Sequence, residues 1–116
     1  MAKISTVLSS LYKTAFPVCD NRHISLNLDI IDPSLEATQS VAYLTATIGF
    51  PLEEAISRCK KGDSITLGSR LEDGELQVFI KDTGTSLSRT EKSFLSTPKT
   101  DVHSRYGYGT TITIML

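Results

Sequence analysis

Between Ala55 and Gly84 the chain passes from a helical apolar spacing into two alternating runs, and this switch restricts the fold more than any other feature. Ser64-Ile65-Thr66-Leu67-Gly68-Ser69 and Glu75-Leu76-Gln77-Val78-Phe79-Ile80-Lys81 send alternate side chains to opposite sides, the period of a strand with one buried face. Glu72-Asp73-Gly74 between them tolerates the positive φ of a hairpin turn. The runs are therefore predicted to pair antiparallel, with Ile65, Leu67, Leu76, Val78 and Ile80 on the buried face. The second run ends in Asp82-Thr83-Gly84, which carries a carboxylate into a tight turn.

The rest of the chain supplies the elements that cover such a hairpin. Val7, Leu8, Leu11, Ala15 and Val18 recur at helical spacing from Ser5 to Val18, with Pro17 predicted to fray the end. Ile24, Leu26, Leu28 and Ile30 alternate with polar residues as a half-buried strand. Asp32-Pro33-Ser34 is a turn or helix-start signal. Val41, Leu44, Ile48, Leu52, Ala55 and Cys59 then keep helical phase across Gly49-Phe50-Pro51, which predicts one kinked helix. Ser88-Arg89-Thr90-Glu91 has the form of a capping box opening a short helix with Phe94 and Leu95 as its apolar side. Ser96 to Tyr106 reads as a mobile loop, and Thr110 to Leu116 as a β-branched closing strand. This order predicts a single α+β domain over residues 1–116, a two-layer sandwich with helices on one face of a mixed sheet.

Composition limits what that domain does. A net charge of -1 gives no electrostatic reason to expect nucleic acid or an anionic membrane surface. No apolar run approaches the roughly 20 residues of a membrane span, and Met-Ala-Lys-Ile-Ser-Thr lacks the apolar stretch of a signal peptide, so a cytoplasmic location is expected. Cys19 and Cys59 lie far apart without metal-ligand spacing to His23 or His103, and are read as reduced packing residues.

Glu54-Ala55-Ile56-Ser57-Arg58-Cys59-Lys60-Lys61-Gly62-Asp63-Ser64-Ile65-Thr66-Leu67 resembles, without a gap, the Asn-Ala-Ile-Lys-Tyr-Thr-Pro-x-Gly-Gly-x-Ile-Thr-Val motif of the GHKL ATPases, above all the catalytic ATP-binding domain of sensor histidine kinases. Ile80-Lys81-Asp82-Thr83-Gly84-Thr85-Ser86-Leu87 resembles the family's Val-x-Asp-x-Gly-x-Gly-Ile, and Gly109-Thr110-Thr111-Ile112-Thr113-Ile114 its closing strand. The resemblance implies a nucleotide site formed by Asp82, Gly84, Glu54, Arg58 and Thr110. Asp82 would accept the adenine amino group, and Thr110 would support the water beside it. Glu54, standing where the family has its magnesium-binding asparagine, would be the metal ligand. ATP or ADP with magnesium is the implied cofactor set. Without the resemblance, Asp82 reads as a turn residue capping its own backbone, and Glu54 as either a metal ligand or a solvated helix glutamate.

The same comparison implies a reduced site. Ser86 replaces the second glycine of the family motif and restricts the backbone where glycine allows close approach. Thr110-Thr111-Ile112 is a poor helix start, so Gly107-Tyr108-Gly109 is read as the turn before the last strand, and not as a phosphate cradle. Thr85 to Tyr106 is then too short for a full lid, a third helix and a further strand. Lys99 and Arg105 are read as solvated loop charges, and neither His23 nor His103 has the setting of a phosphorylated histidine. The expectation is a histidine-kinase-like module of two-component signalling with weak or no nucleotide binding. The alternatives are an active kinase domain, which needs magnesium and phosphate clamping, and a non-catalytic protein that binds a histidine kinase or response regulator. An uncovered apolar area is expected where a third helix would pack, leading to a homo-oligomer or a docked partner.

Overall fold

The computed structural model describes residues 2–116. A two-residue strand β1 (Ala2–Lys3) runs into helix α1 (Ile4–Asn21), followed by β2 (Ser25–Ile30) and a second two-residue strand β3 (Glu36–Ala37). Helix α2 (Val41–Arg58) leads to the hairpin of β4 (Ser64–Glu72) and β5 (Glu75–Asp82), then α3 (Arg89–Leu95), β6 (Thr100–Arg105) and β7 (Gly109–Met115). The main sheet has the order β2-β4-β5-β7-β6, and β1 pairs with β3 in a separate ribbon. Only β2 and β4 are parallel, as the long connection through α2 allows; the other neighbours are antiparallel. The architecture is the α+β sandwich with a mixed sheet that the sequence predicts.

The core lies between the sheet and the helices. Ile65, Leu67, Val78 and Ile80 are buried on the hairpin, against Leu8, Leu44 and Ile48 from the first two helices, while Leu76 is partly covered. The hairpin turns at Asp73 and Gly74 with φ of 52° and 77°. These left-handed values, together with the pairing of Glu72 opposite Glu75, make a two-residue turn whose twist matches the strands. Pro51 sits inside one continuous α2, and Ser40 caps it by accepting the Tyr43 N–H. Asp32-Pro33-Ser34 is a turn, its Asp32 carboxylate accepting the Ser34 N–H at 2.9 Å, and α2 starts only after β3.

Three readings need correction. Pro17 does not fray α1, which continues to Asn21 because Cys19 of the last turn is buried and holds it down. Phe94 is not on the covered side of α3: it is 75% exposed, and only Leu95 packs against the core. Ser96 to Tyr106 is not a loop, since Thr100 to Arg105 forms an edge strand on β7, with Val102 opposite Ile112. The segment between Asp82 and the closing strand therefore does hold a further strand, one too polar to be recognised from apolar content. Among the described residues no helix is long and apolar enough to cross a membrane.

Candidate functional site

The end of β5, the start of β7 and the C-terminus of α2 meet around Asp82. Asp82 lies opposite Ile65 on one side and Thr110 on the other, so its side chain shares a face with both. The following turn is latched to the helix and to β4: the Thr85 N–H donates to the Arg58 carbonyl at 3.2 Å, and the Thr83 N–H donates to the Ser64 carbonyl at 3.0 Å. Gly84 is required by this approach, because a Cβ there would stand 2.7 Å from the Arg58 carbonyl oxygen. The α2 end is fixed in turn by Arg22, whose guanidinium donates to the carbonyls of Ile56 at 2.9 Å and Cys59 at 2.7 Å, at the helix end where the backbone supplies few donors.

The Asp82 side chain is 1% exposed. Its Oδ1 accepts the Gly84 N–H at 2.9 Å, the backbone cap expected of an Asp-x-Gly turn. Its two oxygens also accept Arg58 Nη1, at 3.2 and 3.0 Å. The Arg58 side chain is 9% exposed, which makes this a buried ion pair. Burial pushes the Asp82 carboxyl above the ordinary aspartate range, while the Arg58 charge and the Gly84 N–H pull it down. The neighbouring Cys59 thiol is pushed up to about 11, by burial first and then by the charges of Asp82 and Asp63.

Thr110 is buried but its hydroxyl is not bonded to Asp82; it shares a 2.7 Å hydrogen bond with Ser104. Ser104 Oγ also accepts the Leu87 N–H at 2.7 Å, so β6, β7 and the segment entering α3 are tied through two buried hydroxyls. Ser104 was not among the residues the sequence singled out. Alternation of Val102 and Ser104 with Asp101, His103 and Arg105 was the signal available for it.

Glu54 sits one helical turn before Arg58, in a cavity of about 220 Å³ shared with Thr90, Glu91, Phe94 and Leu95. Hydrogen bonds to Ser88 hold the Glu91 carboxyl below the usual glutamate range. Glu54 is thus near α3 but makes no ion pair with Arg58, and among the described residues no group of three or more metal-binding side chains occurs. One carboxylate suits only a magnesium ion that takes its other ligands from water and phosphate. Lys99 borders a different cavity of about 430 Å³ between α2, α3 and β7, where Phe50 and Phe94 are exposed. Its lining mixes these aromatics with Gln39, Thr97 and Thr100. Arg105 lies over the Tyr108 ring, His103 is exposed and bonded to Asp101 at 3.0 Å, and His23 is in an exposed turn.

No protein-family model matches the chain, and no curated protein matches its sequence. Solved structures do. The catalytic domain of histidine kinase ThkA superposes with a TM-score of 0.86 at 10% identity, covering 98% of this chain and 92% of that one. The mycobacterial sensor histidine kinase MprB gives 0.77 at 15% identity, covering 99% and 95%. ThkA in complex with response regulator protein TrrA gives 0.80 at 9% identity, covering 98% of this chain and 40% of that one. The chain therefore has the fold of histidine kinase catalytic domains.

Proposed function

We propose that this chain is a histidine-kinase-like nucleotide-binding module of cytoplasmic two-component signalling, reduced in its phosphate-binding half, that binds ATP or ADP weakly or not at all. The observation that carries this reading is the placement of Asp82: a buried carboxylate at the end of β5, opposite Thr110, within a turn latched to the end of α2. A buried carboxylate discriminates among ligands strongly, because leaving it unpaired costs about 1–3 kcal/mol or more. In this reading Asp82 and Thr110 face the adenine edge, Gly84 lets the backbone approach, Arg58 borders the base site through its contact with Asp82, and Glu54 holds the magnesium carried in with a nucleotide. The histidine kinase or response regulator is the partner class, in keeping with the ThkA complex.

The test is an amide chemical-shift titration with ATP and ADP, with and without magnesium. The expected result is small, weakly saturating shifts at Gly84 and Thr110, alike for both nucleotides. Tight binding with a strong preference for ATP over ADP would favour an active kinase domain. The Arg58–Asp82 pair favours a second reading, a non-catalytic interaction protein, since the carboxylate is already engaged within the chain. A solution mass that rises with concentration, or with an added response regulator, supports that reading.

A further inference from the structure

If Asp82 is the base acceptor, the Arg58 guanidinium occupies the position that an incoming base would take. Both oxygens of Asp82 accept its Nη1, and Oδ1 accepts the Gly84 N–H as well. Little of either side chain reaches water, at 9% and 1% exposure. The Arg58 backbone is held independently, its carbonyl accepting Thr85 N–H at 3.2 Å, so the side chain starts from a fixed point.

The pairing is also incomplete. A guanidinium and a carboxylate satisfy each other best as a fork, two nitrogens against two oxygens. Here a single nitrogen meets both oxygens, and Arg58 Nε and Nη2 are buried with no partner. Buried donors left unpaired detract from stability, so the contact is poorly explained as a structural cross-link. It does consume the acceptor capacity of Asp82. A neutral base could take Asp82 only by exchanging a charge-assisted contact for a neutral one and leaving the Arg58 charge uncompensated in a buried place.

We propose that Arg58 is an internal stopper of the base site, which occupies the Asp82 carboxylate and excludes adenine from it. The proposal rests on the reading of Asp82 as a base acceptor and adds the residue that decides whether the acceptor is free. It makes the weak nucleotide binding a consequence of one side chain, apart from the reduced phosphate half.

The experiment uses adenosine, which probes the base site without phosphates, on the whole chain and on Arg58→Ala, Asp82→Asn and Arg58→Ala/Asp82→Asn. In the wild type, adenosine is expected to shift the Gly84 and Thr110 amides only weakly, and only as the Arg58 guanidinium signals move with them. Arg58→Ala, with a spectrum as dispersed as the wild type, is expected to bind adenosine about tenfold or more tightly and to shift Gly84 and Thr110. The double variant is expected to lose that gain. Equal or weaker binding by Arg58→Ala, with binding by the wild type that Asp82→Asn removes, overturns the stopper and leaves the base-site reading standing. Absence of adenosine binding in every folded variant overturns both. If Arg58→Ala fails to fold, the wild type decides: Gly84 shifting together with the Arg58 signals supports the stopper, Gly84 shifting while they hold still overturns it, and no shift at all overturns both.

Discussion

Arg58 and Asp82 are 24 positions apart and together set the chemistry at the end of the sheet. Removing the arginine leaves a buried carboxylate without its counter-charge, so Arg58→Met is expected to lose about 3 kcal/mol at neutral pH, measured by urea unfolding. The pH dependence follows from the direction of the Asp82 shift. Because burial raises its carboxyl above 3.8, the native state holds that proton more tightly than the unfolded chain. Its contribution is full below the unfolded value and is lost as pH rises through the folded value. Without the Arg58 charge to pull it down, the folded value climbs further, so Arg58→Met is expected to approach wild-type stability in acid and fall behind as pH rises above 3.8. Carbon-13 titration of the Asp82 carboxyl checks this, with a midpoint below 3.8 in either protein counting against it. Cys59, pushed up to about 11 and buried, is expected to resist alkylation at neutral pH until the protein unfolds. Alkylation of the native protein at the rate of a free thiol would show that the end of α2 opens readily.

The connection from β6 into β7 depends on a backbone shape. Gly109 has φ of 77°, and a Cβ there would lie 2.0 Å from the Asp82 carbonyl oxygen. Gly109→Ala is therefore expected to destabilise the fold by about 3 kcal/mol or more, since strain and a backbone clash act together. Urea midpoints within experimental error of wild type would disprove the placement of β7 against β5. Helix α3 is a contrasting case: Ser88 accepts the Glu91 N–H at 3.1 Å, and Glu91 accepts the Ser88 N–H at 3.0 Å. Ser88→Ala is expected to cost about 1 kcal/mol, seen as faster amide exchange confined to α3. The loss stays local because none of the residues of α3 is fully buried.

Across the whole molecule, stability is expected to follow sheet position. β4, β5 and β7 each have a strand on both sides, whereas β2 and β6 are edges. Amide exchange is expected to be slowest at Ile65, Leu67, Val78, Ile80 and Ile112, all buried on the central strands, and fastest in β6 and the β1–β3 ribbon. Protection of β6 equal to that of β5 would mean that its outer edge is covered in solution. The same geometry explains the site: Asp82 is at the end of the central strand, so both of its neighbours are fixed by the full sheet.

The elements encoded locally could be read from the sequence because their causes lie within a few residues. Alternation defined β2, β4 and β5, the β-branched run from Thr110 defined β7, the Asp73-Gly74 pair defined the hairpin, and the Ser88 and Glu91 spacing defined the cap of α3. The placement of Thr110 beside Asp82 followed from the closing strand and is seen in the register. Elements defined by their partners were not legible. β6 is a strand because β7 offers it a hydrogen-bonding edge, and α1 runs past Pro17 because its last turn has a core to bury Cys19 in. The engagement of Asp82 by Arg58, and of Thr110 by Ser104, required side chains from different elements to meet in a buried space. The sequence by itself determined the layers and the carboxylate; only the tertiary structure decided what that carboxylate holds, because burial forces each polar group to find its partner wherever the fold brings one within reach.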